Sequence, residues 1–154
     1  KESDLKNINF SECTFTDCDF SMADIGNCSF KEVEFYECKL LGLQFESCNP
    51  FLMSLFFKGC TLNFSSFYKL KLSGMKFIRC TLEQVDFTEA NLTSVSFEKC
   101  NLENAIFQNT NLQKADLRTA TNFSISPQQN IIEKAKFSNE GALSLLEPYN
   151  IIVD

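Results

Sequence analysis

The stretch Leu82-Glu83-Gln84-Val85-Asp86-Phe87-Thr88-Glu89-Ala90-Asn91-Leu92-Thr93-Ser94-Val95-Ser96-Phe97 decides the fold. A large apolar residue stands at every fifth position, Leu82, Phe87, Leu92 and Phe97, and a small or apolar one stands two places before each. The other three positions are polar. Two inward positions in every five match neither the 3.6-residue period of a helix nor the two-residue period of a long strand. They match a chain that turns a corner every five residues.

The pattern extends in both directions. Leu5, Phe10, Phe15, Phe20, Ile25, Phe30, Phe35, Leu40 and Phe45 keep one register. After a slip of two residues it resumes at Leu52 and Phe57 and runs by fives to Leu117, making 23 centres. Four five-residue sides close a 20-residue coil, and coils stack at the inter-strand spacing of about 4.8 Å. The expected fold is all-β: a right-handed quadrilateral β-helix over residues 1–120, followed by a small helical cap over 121–154. From Phe57 to Leu112 the centres alternate Phe and Leu, so two opposite sides should carry Phe ladders and two Leu ladders. Pro50 cannot donate a ladder hydrogen bond, which marks a two-residue break near 49–51, with a local kink or protrusion.

Composition narrows the function. With 154 residues, 44% of them apolar, one domain is expected. No apolar run is long enough to span a membrane, and an opening at Lys1 without Met suggests a piece of a longer gene product. The absence of His removes the commonest general base and metal ligand. No phosphate loop or nucleophile elbow occurs. An enzyme is not expected, nor a metal or other cofactor. All eight Cys occupy the position two before a centre, Cys48 lying beside the slip, and Cys18, Cys38, Cys60, Cys80 and Cys100 fall on one side. Their spacing misses zinc signatures, and parallel neighbours make poor disulfides. They read as reduced filler, which favours a cytoplasmic location.

The surface is therefore the functional candidate. A net charge of −6 disfavours direct contact with nucleic acid or anionic membrane. Residues 1–48 hold ten acids and four bases, whereas residues 49–82 hold five bases and no acid. Two partner-binding sets follow: the acidic early coils, with Asp17, Asp19, Asp24, Glu32, Glu34 and Glu37, and a central aromatic and basic patch. The patch comprises Tyr36, Phe56, Phe64, Tyr68, Ile78, Lys58, Lys76 and Arg79, with Tyr36, Phe56 and Ile78 on one side in successive coils. In the tail, Ser126-Pro127 predicts a helix through Ala135, and Ala135-Lys136-Phe137 one more repeat fragment. Ser138 should cap a second helix ending near Pro148, and Ile151-Ile152-Val153 reads as a short strand. Leu143, Leu145, Leu146 and Ile151 form a candidate dimerisation face.

Ala90-Asn91-Leu92-Thr93-Ser94 and Ala115-Asp116-Leu117-Arg118-Thr119 resemble the consensus of the pentapeptide repeat family. Cys18-Asp19-Phe20-Ser21-Met22-Ala23-Asp24 followed by Asn27 is similar to the Qnr/MfpA/McbG-like branch, the quinolone-resistance and microcin-immunity proteins. That resemblance implies a bacterial, non-enzymatic DNA mimic that protects DNA gyrase or topoisomerase IV and dimerises through a helical C-terminal tail. The long projecting loops of the Qnr proteins are absent. A rod of about 27 Å would mimic duplex carrying about 16 charges, while residues 1–120 carry a net of −4, so mimicry would rest on the early coils. The alternative is a general protein-interaction scaffold that uses the central patch.

Overall fold

The computed structural model describes residues 1–154. Seven short strands are regular: β1 (Asn9–Ser11), β2 (Thr14–Thr16), β3 (Ser29–Lys31), β4 (Val33–Tyr36), β5 (Leu55–Lys58), β6 (Lys76–Ile78) and β7 (Ser96–Glu98). All pair in parallel, β1 with β3 and β2-β4-β5-β6-β7 in order. Single bridges complete a four-sided solenoid. Side A runs Asp19, Lys39, Thr61, Thr81, Asn101, Thr121, and side B runs Gln44, Ser66, Asp86, Ile106. Side C holds Asn9, Ser29 and Asn49, then Lys71, Asn91, Asn111 and Ile131. Side D is continuous through Thr14, Glu34, Phe56, Lys76, Ser96, Asp116 and Lys136.

Each repeat builds its own corner. Asp or Asn before a centre accepts from the N–H two residues on, as Asp86 does from Thr88 at 2.8 Å and Asn91 from Thr93 at 3.1 Å. The turn then closes with bonds such as Ala90 N–H to Phe87 C=O at 3.0 Å. The second residue after the centre takes positive φ, 53° at Asp17, 52° at Glu32 and 56° at Glu89. A left-handed L-residue costs about 1–2 kcal/mol. The corner N–H is offset by a bond to the next coil, for example Glu89 to Gln108 at 2.9 Å. Gly59, at φ 67°, sits where a Cβ would collide with the Glu37 carboxylate of the coil before.

The core is a column of ladders. From Phe57 to Leu112 the Phe centres occupy sides B and D and the Leu centres sides A and C. Phe57, Phe77 and Phe97 stack at 5.4 and 5.3 Å, nearly parallel, while Phe67 meets Phe77 edge-on at 5.8 Å and 84°. Both arrangements suit the ring quadrupole. Every centre from Ile25 to Leu117 is buried except Leu52. The small position tolerates hydroxyl and thiol because a carbonyl waits for it: Thr110 donates to Phe87 C=O at 2.8 Å and Cys100 to Phe77 C=O at 3.3 Å. All eight Cys are free, six of them buried. Burial pushes the Cys38 thiol up to about 11 and Cys48 up to about 12.

Three expectations are corrected. Leu52 is not a core centre: it is 65% exposed, at φ 53°. Asn49 accepts from Phe51 N–H at 3.0 Å and Met53 N–H reaches Pro50 C=O at 3.2 Å, so Pro50 holds the centre position and Leu52 the corner. The extra residues are Met53 and Ser54. The helix from Ser126 to Ala135 is absent, because the repeat resumes there: Ile131 bridges Asn111, Lys134 takes φ 60°, and Ala135 N–H closes on Ile132 C=O at 3.0 Å. Asn130 stitches that coil down, its amide donating to Phe107 C=O at 3.0 Å. Ile151–Val153 forms no strand. The expected cap at Ser138 is present, accepting from Gly141 N–H at 3.0 Å at the start of α1 (Asn139–Ser144). Phe123 and Ile125 close the end of the core beneath it. No helix is long and apolar enough to cross a membrane.

Candidate interaction surface

Side D brings most of the singled-out residues together. Two columns run along it: Glu34, Phe56, Lys76, and beside them Tyr36, Lys58, Ile78. The corner before side D carries Glu12 and Glu32, and the corner after it Asp17 and Glu37, each at positive φ, which turns the side chain outward. Tyr36 and Phe56 rings touch at 5.7 Å, and the Tyr36 hydroxyl donates to Glu34 at 3.0 Å. Accepting that bond, the carboxylate holds the phenol pKa above its usual value. Toward the C-terminus the same face turns basic, with Lys58, Lys76 and Arg79. One face therefore passes from acid through aromatic to base.

The remaining residues lie elsewhere. Asp19 is on side A, where its carboxylate accepts from Ser21 N–H at 2.9 Å and is held low by the Ser21 hydrogen bonds. Asp24 belongs to side B and pairs with Lys6 at 3.5 Å. Phe64 projects from the corner between sides A and B, and Tyr68 ends side B, next to the Lys69 corner that leads to side C. The central patch is thus a belt rather than one surface. Sequence reasoning missed Glu12 as a member of the acidic face; its 20-residue spacing from Glu32 was the available signal.

Side C carries an opening at the break. Glu46, Asn49, Pro50, Phe51, Met53, Tyr68, Lys69, Leu70 and Lys71 line a groove of about 680 Å³. Phe51 and Leu52 protrude beside it, 64% and 65% exposed, with Lys31 over the Phe51 ring at 5.4 Å. At the C-terminal end Leu143, Leu146 and Ile151 are exposed, while Leu145 packs partly against the core.

Comparisons place this arrangement among known proteins. A family model described as pentapeptide repeats (9 copies) matches residues 1–44, and one described as a pentapeptide repeat region matches residues 43–117. No curated protein matches the sequence. Among solved structures, a trypsin-treated form of QnrB1, a plasmid-mediated fluoroquinolone resistance protein, superposes with a TM-score of 0.76 at 19% identity. It covers 100% of this chain and 84% of that one. HetL, a pentapeptide repeat protein involved in heterocyst differentiation regulation from the cyanobacterium Nostoc sp. strain PCC 7120, gives 0.56 at 14% identity. That match covers 90% of this chain and 86% of HetL. At these identities the likeness is one of fold.

Proposed function

The chain belongs to the pentapeptide repeat family, and from that premise we propose that it is a non-catalytic binding protein that modulates DNA gyrase or topoisomerase IV as a partial DNA mimic. The observation that carries this reading is the acidic end of side D. Glu12, Asp17, Glu32, Glu34 and Glu37 project from one face and its two corners over two successive coils. Rigid stacking holds the charges at fixed spacing, the property a basic DNA-binding surface would select. The fit of the whole chain onto trypsin-treated QnrB1 is consistent with a related shape. A supercoiling assay with purified gyrase, with and without a fluoroquinolone, tests it. The C-terminal face of Leu143, Leu146 and Ile151 would pair two such rods, leaving both acidic ends outermost.

The contact between Tyr36 and Phe56 favours a second reading, a protein-interaction scaffold whose aromatic pair anchors a different regulator. The two differ in salt dependence. Exposed charge contacts weaken over a screening length of about 8 Å at physiological ionic strength, whereas a desolvated aromatic anchor is far less sensitive.

A further inference from the structure

On side C the β-ladder opens between two coils, and its free backbone groups point to a second binding site. On side C, Ser29 bridges Asn49 and Lys71 bridges Asn91, but nothing bridges Asn49 to Lys71. No backbone hydrogen bond joins residues 46–54 to residues 68–75. One coil later the equivalent bonds are intact, Asn91 N–H to Leu70 C=O at 2.8 Å and Leu72 N–H to Asn91 C=O at 2.9 Å. The cause is local. Pro50 occupies the centre position without an N–H to offer Lys71 C=O, and the 3-10 turn of Phe45–Ser47 folds the Ser47 N–H back onto Gln44 C=O instead of the next coil. Lys71 N–H and C=O and Cys48 C=O are left without intramolecular backbone partners. Unpaired strand edges of this kind are templates for another strand.

We propose that this opening docks an extended peptide segment of a partner protein, one in which an acidic side chain sits among apolar ones. Lys71 N–H and C=O and Cys48 C=O supply strand-like pairing to the segment's backbone, the β-augmentation mode of recognition. The Glu46 Oε2, buried and without a hydrogen-bond partner, accepts a further peptide N–H. Phe51 and Met53 receive the apolar side chains. Lys69 and Lys71 receive the carboxylate. Lys69 is held only by an exposed pair with Glu89 at 3.5 Å, which a partner's acid displaces at little cost. The groove is lined by two lysines against one carboxylate, Glu46, so its net charge selects an acidic segment against a basic one. This site lies on side C and is independent of the gyrase reading, whose acids face side D.

Displayed random peptides of about twelve residues, selected on the full chain and counter-selected on Pro50→Leu, test the proposal. Leu restores both the missing N–H and the missing core side chain, closing the slot. The expected result is enrichment of extended sequences with an acid flanked by apolar residues. A synthetic peptide of the enriched sequence should shift the amide resonances of residues 46–54 and 68–74 and slow exchange of the Lys71 amide. Its affinity should fall about tenfold or more in the surface variant Lys69→Glu/Lys71→Glu, whose thermal unfolding should match that of the parent. Failure to enrich any sequence over Pro50→Leu would overturn the proposal. So would a selected peptide that binds the double variant undiminished or leaves Lys71 exchange unchanged.

Discussion

The Tyr36 hydroxyl donates to the Glu34 carboxylate at 3.0 Å, tying the aromatic stripe of side D to the acidic end of the same face. The two surfaces that sequence reasoning separates are contiguous, and a substitution in one alters the other. Because ionising the phenol would remove the proton it shares with the Glu34 carboxylate, the Tyr36 pKa is raised above its ordinary value. Spectrophotometric titration should show one tyrosine ionising late, and Glu34→Gln should bring it back toward the ordinary value. A Tyr36 titration that Glu34→Gln leaves unmoved would mean that the bond does not form in solution.

Buried thiols make stability fall at alkaline pH. The Cys38 and Cys48 thiols are neutral when protonated, and burial lifts them from 9 to about 11 and about 12. In the unfolded chain they ionise near 9, so their contribution is complete below that pH and is lost as pH rises toward 11 and 12. Urea unfolding at pH 8 and pH 10 should give a lower midpoint at the higher pH. A bulky thiol reagent at pH 8 should modify half-buried Cys13 and Cys18 first and reach eight thiols only after denaturation. Fewer than eight, restored by reductant, would show oxidised neighbours.

Core and surface phenylalanines should separate cleanly. Phe77 is fully buried between Phe57 and Phe97, and Phe77→Ala should cost about 3–5 kcal/mol. Phe51 projects from the break, and Phe51→Ala should change stability by no more than about 0.5 kcal/mol. Equal losses in equilibrium unfolding would contradict the assignment of Pro50, rather than a neighbour, to the centre of that repeat.

The solenoid was legible because its signal repeats. A five-residue period summed over 23 positions fixes coil length, ladder type and the inward position of every Cys, and no single repeat has to be read correctly. Where a signal occurs once, sequence reasoning erred. Leu52 reads as a centre because it is large and apolar, although Cys48 and Asn49 already mark Pro50 as the next centre. Ser126-Pro127 looks like a helix start, yet the column of Asn111 and Thr110 above offers Ile131 and Asn130 ladder partners that outweigh local propensity. On the candidate site, the acidic column was partly legible from 20-residue spacing. The slot on side C was not, because it depends on which backbone groups lose partners when two residues are added.

The C-terminal face carries the proposed dimer. With Leu143, Leu146 and Ile151 about half exposed on and beside a six-residue helix, sedimentation equilibrium at micromolar concentration should report twice the chain mass. Leu146→Asp should return it to the mass of one chain without lowering the unfolding midpoint. A monomer in both cases would leave that face without the role proposed for it.

The central claim is that the acidic end of side D acts on a type II topoisomerase. The direct measurement is gyrase supercoiling in the presence of a fluoroquinolone, with the parent chain and with Glu32→Lys/Glu34→Lys/Glu37→Lys, whose positions are exposed and outside the core ladders. The account predicts that the parent restores supercoiling, that the effect weakens as salt is raised, and that the triple variant loses it while unfolding at the same urea concentration. Supercoiling restored equally by parent and triple variant would contradict the mimicry. No restoration by the parent would remove gyrase as the target.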